Sequence, residues 1–238
     1  MKRPVLCGVG VGPGDPELLT LKAVRILREA DFVFVPASTK NEYSLALRVA
    51  AEYIPPGRPI EHLPFPMTRD REKLEQAWEE NARKVVEKLR VFSKVVFLVM
   101  GDPALYSTFG YLARWVRRLY PKVEIRMTPG ITAAQAAAAR FNLILTEGEE
   151  AFVLASGLAA EEVLKKFAGE KTSFVLYKVY RRAPEIIEIL RQTKRLKDAR
   201  AISWCGFPEE IVYEDATKIS GSTPPYFTLL LVGGKPLD

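Results

Sequence analysis

The chain has 238 residues, of which 48% are hydrophobic and 27% charged, a composition typical of a globular protein with room for one large domain or two smaller ones. No segment approaches the roughly 20 apolar residues of a membrane span, and residues 1–4 lead directly into a strand-like run, so we predict a cytoplasmic protein without membrane partners. The net charge of +6 favours anionic partners, either nucleic acid or a polycarboxylate. Cys7 and Cys205 are far apart in apolar surroundings, which predicts buried thiols and not a disulfide or metal site.

The first half of the chain alternates strand and helix patterns. Apolar runs predict strands at residues 5–11, 32–35, 60–63, 95–100 and 123–127. Helices are predicted from Pro16, over 43–54, from an N-cap at Thr68 or Asp70, and over 104–120. The run at 95–100 is β-branched and unbroken, which indicates a strand buried on both faces of a parallel sheet.

The second half restarts the alternation after Pro129-Gly130, which we interpret as a hinge before an Ala-rich helix from Thr132. Strands are predicted at residues 152–155, 173–177 and 201–204, with helices at 161–167 and 184–193. The last strands, 211–213 and 226–232, have no helix between them and are predicted to be antiparallel edges. We therefore predict two α/β domains, residues 1–128 with a mostly parallel sheet and 129–238 with a mixed sheet.

A polar segment follows the buried run at 95–100. Gly101-Asp102-Pro103 predicts a sharp turn that places Asp102, Tyr106, Ser107 and Thr108 past the strand's carboxyl end, where open α/β sheets bind ligands. The segment carries a carboxylate and no Lys, so it suits hydroxyls, amines or a cation better than phosphate. Gly-Asp-Pro recurs at 14–16, which indicates either repeated use of one turn or a cleft lined by both turns. An ordinary strand-to-helix turn is the alternative for either copy.

The motifs of several common binding sites are missing from the sequence. The glycines at 8, 10, 12 and 14 do not form a dinucleotide fingerprint, because Pro13 or Asp15 interrupts each frame, and no P-loop motif occurs. The lone His62 and the separated cysteines predict no metal site made by the protein. Tyr177-Lys178 and Tyr226-Phe227-Thr228 lie at strand ends, where they either pack or line a cleft.

Three segments in combination, residues 8–23, 101–109 and 129–133, resemble the tetrapyrrole methylases, the class III S-adenosylmethionine-dependent methyltransferases. Residues 63–67 and 137–140 are similar to the branch that methylates C(20) of precorrin-2 or cobalt-factor II in cobalamin synthesis. The resemblance implies that two α/β domains hold S-adenosylmethionine in the trough between them, that S-adenosylhomocysteine is the product, and that the assembly is a homodimer. It also implies an anionic tetrapyrrole substrate, which agrees with the positive net charge.

The resemblance implies cofactor contacts at fourteen positions: Pro36, Gly101, Asp102, Pro103, Tyr106, Ser107, Thr108, Thr132, Ala133, Tyr177, Lys178, Tyr226, Phe227 and Thr228. Relatives often carry a hydroxyl residue where this chain has Ala133, so a hydrogen bond there comes from the backbone or is absent. The loop at 12–15 would face the tetrapyrrole. If the C(20) proton needs an acceptor, the candidates are Asp15, His62, Asp102 and Tyr106, and His62 is also a candidate axial ligand of cobalt in the substrate.

Two other functions stay open at this point. A methyltransferase of the same fold could act on another tetrapyrrole, on a protein side chain as in diphthine synthesis, or on RNA. A basic nucleic-acid-binding module without catalysis is the alternative from a different class, but the chain has no long Lys/Arg run and no basic surface motif interleaved with aromatic residues. We therefore predict no nucleic-acid partner.

Overall fold

A computed structural model describes residues 3–38, 44–167, 171–221 and 223–237. The chain forms two compact units, Met1–Thr132 and Ala133–Asp238. The first unit ends four residues beyond the division predicted from the Pro129-Gly130 pair. Within the described ranges, no helix combines the length and hydrophobicity that crossing a bilayer requires.

The first unit is a five-stranded parallel sheet with helices between its strands. In chain order the elements are β1 (Val5–Gly10), α1 (Leu21–Glu29), β2 (Phe32–Ser38), α2 (Leu45–Ala50), β3 (Ile60–Phe65), α3 (Arg71–Leu89), β4 (Lys94–Val99), α4 (Phe109–Leu119) and β5 (Glu124–Thr128). The strand order is β3-β2-β4-β1-β5, and every pairing is parallel. The predicted mostly parallel sheet is thus confirmed.

The core of the first unit explains why β4 is so apolar. Its residues Val95, Phe97 and Val99 pack in the same buried cluster as α3 and α4, while Val96 and Leu98 on the opposite face are at most 1% exposed. A strand with helices on both sides of the sheet has no face in water, so alternation of apolar and polar residues is lost. The prediction of a strand buried on both faces is confirmed.

Several boundaries in the first unit differ from the prediction, three of them before β3. Residues Pro16–Leu18 form only a short 3₁₀ turn, and α1 begins after Thr20, whose side chain caps it. The helix predicted over 43–54 is α2 followed by a 3₁₀ turn, and residue 43 lies outside the described residues. Strand β2 runs through Pro36 because beyond Phe34 it pairs only with β3, so one edge of the strand needs no N–H donor.

The second unit is built around a mixed five-stranded sheet. Its elements are α5 (Ala133–Arg140), β6 (Leu143–Ile144), β7 (Ala151–Ser156), α6 (Ala160–Lys166), β8 (Thr172–Tyr177), α7 (Ala183–Gln192), β9 (Ala199–Ser203), β10 (Ile211–Tyr213), β11 (Thr228–Val232) and β12 (Lys235–Pro236). The order is β10-β9-β11-β8-β7, with β7 and β8 parallel and β11 antiparallel to both its neighbours. The predicted mixed sheet is confirmed.

The prediction that both final strands are edges is right for β10 and wrong for β11. Strand β11 lies between β8 and β9, and all five of its residues are buried. An edge strand exposes one row of backbone groups to water, whereas a run of five apolar or buried residues is suited to the sheet centre. Strands β6 and β12, which the sequence patterns did not predict, form a separate antiparallel pair.

Candidate functional site

The two Gly-Asp-Pro turns lie side by side in the first unit. Gly12 and Gly101 form an isolated antiparallel bridge, in which Gly101 N donates to Gly12 O at 2.7 Å. This contact follows from the sheet order, because β1 and β4 are adjacent and parallel and their carboxyl ends meet. The first residue of the Gly101-Asp102-Pro103 turn therefore lies against the loop that leads into the turn at 14–16.

The segment at Gly130, after β5, also approaches these turns closely, and the approach is possible because glycines have no side chain. A Cβ added to Gly10 would lie 2.5 Å from Gly101 O and 2.7 Å from Gly130 N, and one on Gly130 would lie 2.1 Å from Gly101 O. No real side chain tolerates such distances, so Gly10 and Gly130 must lack one, while Gly101 is favoured by its positive φ of +66°. By contrast, a Cβ on Gly101 would meet nothing within 4 Å, so this turn has open space on one side.

Asp102 ties two of these segments together. Its Oδ1 accepts a hydrogen bond from Ala104 N at 2.7 Å, and its Oδ2 accepts one from Gly130 N at 3.0 Å. Asp15 makes the first kind of bond, from Glu17 N at 2.9 Å. Because each oxygen of Asp102 already receives a backbone N–H, the carboxylate holds the turn in place, a role that the sequence pattern had not suggested.

The helix predicted over 104–120 is wrong at its start, because α4 begins only at Phe109. Asp102 bonds Ala104 N, Tyr106 has a φ of +49°, and Ser107 Oγ accepts a hydrogen bond from Phe109 N at 3.0 Å. These local bonds compete with helical ones, as Asp and Ser side chains do near helix starts. Consequently Tyr106 is half exposed and Pro103 is buried, in an irregular segment at the end of β4.

The other predicted site residues of the first unit are spread over different positions. Pro36 lies near the end of β2, while His62 is in the middle of edge strand β3, opposite Val35 and half-buried. Asp15 caps the 3₁₀ turn at Pro16, and Thr108 precedes α4 without a side-chain capping bond. Thr132 is the last residue of the unit. Of the site residues predicted in the first unit, Gly101 and Asp102 are the two that contact the glycines after β1 and β5, through Gly12 and Gly130.

In the second unit, the predicted site residues lie where the carboxyl ends of β8 and β9 meet the start of β11, which we call the edge of this sheet. Strands β8 and β9 both run antiparallel to β11, so the carboxyl ends of β8 and β9 meet the start of β11. Tyr177 ends β8, and its hydroxyl accepts a hydrogen bond from Ala134 N at 3.0 Å. That N–H is one of the donors left unpaired at the start of α5. Tyr177 therefore caps the start of α5 from a strand 43 positions further along the chain.

A buried polar pair and an aromatic cluster continue this edge. Ser203 and Thr228, both buried, join their hydroxyl oxygens at 2.6 Å, and Thr228 also donates to Pro225 O at 2.7 Å. Trp204 follows β9 with a φ of +56°, and its N–H donates to Phe227 O at 2.9 Å. The Trp204 ring lies 5.0 Å from the Phe227 ring, which is 37% exposed.

Trp204 was missed by the sequence interpretation. Trp204 was predicted as the last residue of the strand at 201–204, whereas β9 ends at Ser203 and Trp204 takes the place that Lys178, with a φ of +58°, takes after β8. Left-handed backbone in a bulky residue is uncommon, and it persists where surrounding contacts hold it. The ring edges of Tyr226 pack on Phe227 and Tyr180, so the cluster presents both apolar faces and polar hydroxyls.

The electrostatics of this edge and of the thiols are simple. Burial raises the pKa of Tyr226, with a smaller contribution from Tyr180, so this phenol stays neutral near neutral pH. Both cysteines are buried free thiols, as predicted. Burial, with help from Glu210, raises the pKa of Cys205 to about 12. Neither the Tyr226 phenol nor the Cys205 thiol is suited to act as a nucleophile at neutral pH.

Each unit, taken by itself, has features that suit one part of a cofactor with hydroxyls and a cationic sulfur. Within the described ranges, no three His, Cys, Asp or Glu side chains cluster in a way that could hold a metal. The open space beside Gly101 leaves backbone groups accessible to ligand hydroxyls. The exposed ring of Phe227 offers a face of the kind that attracts cations. These features fit S-adenosylmethionine.

Comparison with known proteins relates the whole chain to one family. The model of the Tetrapyrrole (Corrin/Porphyrin) Methylases matches residues 5–219. The cobalt-precorrin-2 C(20)-methyltransferase of Salmonella typhimurium is 30% identical over 228 residues, which cover 95% of each chain. The probable cobalt-precorrin-2 C(20)-methyltransferase of Methanocaldococcus jannaschii is 40% identical over 161 residues, 67% of each chain.

Solved structures agree on the fold. A cobalt precorrin-4 methyltransferase superposes with a TM-score of 0.73 at 21% identity, covering 96% of this chain and 94% of that one. The uroporphyrin-III C-methyltransferase of Thermus thermophilus, complexed with S-adenosylhomocysteine, has a TM-score of 0.69 at 24% identity and covers 96% and 91%. At these identities the likeness concerns the arrangement of helices and strands.

Proposed function

Because the chain belongs to the tetrapyrrole methylases, we propose that it transfers the methyl group of S-adenosylmethionine to C(20) of precorrin-2 or cobalt-factor II in cobalamin biosynthesis. The end-to-end match to the Salmonella typhimurium C(20)-methyltransferase carries the choice of this carbon. The product left by the cofactor is S-adenosylhomocysteine.

The proposed role of the protein is alignment. S-adenosylmethionine supplies a methyl group on a positively charged sulfur, and a meso carbon of a reduced tetrapyrrole is electron-rich enough to attack it directly. Holding two reactants in line can lower a barrier by roughly 7 to 11 kcal/mol. A general base accelerates a reaction about 100 to 10,000-fold, which corresponds to roughly 3 to 5 kcal/mol. Accurate positioning therefore suffices without a dedicated strong base.

We assign Asp102 to positioning within this scheme. Both carboxylate oxygens accept backbone hydrogen bonds, from Ala104 and Gly130, so Asp102 keeps the Gly101 turn in register with the segment after β5. The fourteen residues named above are proposed to contact the cofactor, with Gly101 offering backbone groups beside open space. Asp15, His62 and Tyr106 stay the candidates for accepting the C(20) proton.

The assembly and location belong to the same proposal. We propose a homodimer in the cytoplasm, with an anionic tetrapyrrole as the substrate and neither nucleic acid nor membrane as a partner. The positive net charge supports this choice of substrate, since precorrin-2 carries several carboxylates for Lys and Arg side chains to meet. Sedimentation equilibrium measures the assembly directly, and a monomer at assay concentration would contradict the homodimer.

The activity is tested by incubating the protein with S-adenosylmethionine and either metal-free precorrin-2 or its cobalt form. We expect mass spectrometry to show the gain of one methyl group and NMR to place it on C(20). The form that reacts faster identifies whether cobalt is present in the substrate. Methylation of neither form would refute the proposed function.

Replacing Asp102 by Ala or Asn tests the positioning role. We expect Asp102→Ala to lose about 1 to 3 kcal/mol of unfolding free energy, because two backbone N–H groups lose their acceptor, and to weaken S-adenosylmethionine binding. Asp102→Asn keeps one acceptor oxygen and should lie between the wild type and Asp102→Ala. Isothermal titration calorimetry and urea denaturation measure the two effects.

Asp215→Ala is the matched control, because Asp215 also accepts a hydrogen bond from the N–H two residues on, at 2.9 Å, but lies outside the predicted site. Its cofactor affinity should equal that of the wild type. Unchanged affinity in Asp102→Ala would remove Asp102 from the cofactor site altogether.

A further inference from the structure

A second concave site lies in the first unit, away from the two Gly-Asp-Pro turns. The cavity has a volume of about 340 Å³ and opens between α1 and the edge strand β5. It is lined by Cys7, Lys22, Arg25, Ile26, Glu29, Arg126, Met127 and Thr128. None of the residues predicted to bind cofactor or accept the proton is among them.

The position of the cavity follows from the register of α1 and β5. Lys22, Ile26 and Glu29 are spaced four and three residues apart, so they lie on one face of the helix. Strand β5 is the last strand of the sheet and pairs only with β1, where Arg126 lies opposite Cys7. The helix and the sheet margin thus form two walls, and β1 contributes to the floor.

The lining carries an excess of positive charge. Lys94 Nζ lies 2.7 Å from Glu29 Oε2, and Lys94, with a smaller contribution from Arg25, lowers the pKa of Glu29, the one carboxylate in the lining. Arg126 is paired with Glu124, because Arg126 Nε donates a hydrogen bond to Glu124 Oε1 at 2.7 Å. In the part of the chain that the structure describes, Lys22 and Arg25 make no hydrogen bond or ion pair. Two cations therefore stand at the cavity without a counter-charge in contact.

The floor is polar but uncharged. Thr128 is 1% exposed, and its hydroxyl lies 3.5 Å from Cys7 Sγ. Burial raises the pKa of Cys7, while its hydrogen bond with Thr128 and the charges of Arg126 and Lys22 act in the opposite direction. The thiol stays protonated near neutral pH, so the floor adds no negative charge beside Lys22, Arg25 and Arg126.

We propose that this cavity binds a small organic dianion, of the phosphate-monoester or dicarboxylate class. Lys22 and Arg25 hold the charged groups, because ammonium and guanidinium donors form their strongest hydrogen bonds with carboxylate and phosphate oxygens. Ile26 and the side chain of Met127, which is 56% exposed, supply an apolar wall for the ligand's carbon skeleton. Thr128 closes the floor with a hydroxyl.

The proposal is tested with three probes and a helix-matched control. Succinate, phenyl phosphate and inorganic phosphate are titrated into the full chain by calorimetry, and chemical-shift changes locate any binding site. We expect saturable binding of succinate or phenyl phosphate at the α1 and β5 residues, tighter than that of inorganic phosphate, which lacks an apolar part. The organic probe that binds tighter identifies the ligand class.

The double variant Lys22→Ala/Arg25→Ala should bind the organic probe at least tenfold more weakly, since a hydrogen bond to a charged group is worth roughly a tenfold or larger factor in affinity. Arg28→Ala removes an exposed cation of the same helix that does not line the cavity, and it should bind as the wild type does. Far-UV circular dichroism checks that α1 is intact in each variant.

Three results would overturn the proposal. The first is that no probe binds saturably, as expected of a merely solvated charged face. The second is an equal loss of affinity in the double variant and in Arg28→Ala, which would indicate a nonspecific effect of charge. The third is a change of oligomeric state in the double variant without any probe binding to the wild type, which would make this face an interface between copies of the chain.

Discussion

At the scale of single residues, the absence of side chains decides how close the strand ends come. Gly10, Gly101 and Gly130 approach so closely that a Cβ on Gly130 would lie 2.1 Å from Gly101 O. The contact joins backbone to backbone, so no flexible side chain can move away to relieve it. The geometry of the turn region therefore depends on three positions that carry no functional group of their own.

Gly130→Ala should be strongly destabilising for this reason. We expect a loss of about 1 to 3 kcal/mol or more of unfolding free energy, typical of overpacking where the backbone must shift. It should also weaken cofactor binding, because Gly130 N is the partner of Asp102 Oδ2. Gly221→Ala is the control, since a Cβ there meets nothing within 4 Å. Equal midpoints in urea for the two variants would contradict the close approach.

At the scale of elements, α4 shows how a turn consumes sequence that could have been helical. Residues 104–108 have helix-compatible composition, yet bonds from Asp102 and Ser107 to backbone N–H groups delay the helix to Phe109. The amphipathic pattern then places Phe109, Leu112 and Val116 in the core. Spacing alone predicted that a helix follows β4, but not its first residue.

Gly110→Ala should stabilise the protein, because Gly110 lies within α4 and its added Cβ would come no closer than 3.6 Å to any atom. We expect a gain of about 0.4 to 1 kcal/mol from the reduced entropy of the unfolded chain and the better helix propensity. The reverse change in the same helix, Ala113→Gly, should destabilise it. Denaturant midpoints that move the same way in both variants would refute this account.

The β6 and β12 pair should respond to pH through Lys235, which bonds Glu147 and lies 2.7 Å from Glu150. Lys235 lowers the pKa of Glu150, and Glu147 followed by Glu150 raises the pKa of Lys235. The stabilisation from Glu150 is complete above its ordinary pKa of 4.5 and is lost as pH falls through the lowered value. That from Lys235 is complete below 10.5 and is lost as pH rises through the raised value.

Hydrogen-exchange protection of Leu237 N, which donates to Asn142 O, measures this pH response locally. We expect a plateau of the protection factor between the two limits, a decline on either side, and a weaker plateau at high salt because the groups are exposed. Lys235→Met should remove the decline at high pH and weaken the one at low pH, where Glu150 keeps the hydrogen bond from Glu147 N. A variant that keeps the same pH profile would show that the ion pairs do not hold β12.

At the scale of the whole molecule, the net charge of +6 bears on the proposed substrate. Raising the salt from about 0.1 M to about 1 M shortens the Debye length from about 10 Å to about 3 Å, so attraction between a basic protein and a polycarboxylate weakens. We expect the KM for the tetrapyrrole to rise several-fold, while the KM for S-adenosylmethionine, which has a small net charge, changes less. A tetrapyrrole KM independent of salt would contradict charge-based recognition.

The sequence by itself determined the class of fold and the family. Hydrophobic periodicity and strand-ending glycines depend on short-range rules, so they predicted the alternation of β and α, the buried strand β4 and the mixed second sheet. The combination of residues 8–23, 101–109 and 129–133 identified the tetrapyrrole methylases, a family to which the model match assigns the chain.

Only the tertiary structure decided which functional groups are already engaged. Asp102 bonds Gly130, 28 positions away, and Tyr177 bonds Ala134, 43 positions away. The central place of β11 and the cationic cavity between α1 and β5 likewise depend on strand order. Contacts between distant segments leave no local periodic signal, because the same residues would look alike whether they faced a ligand or another turn.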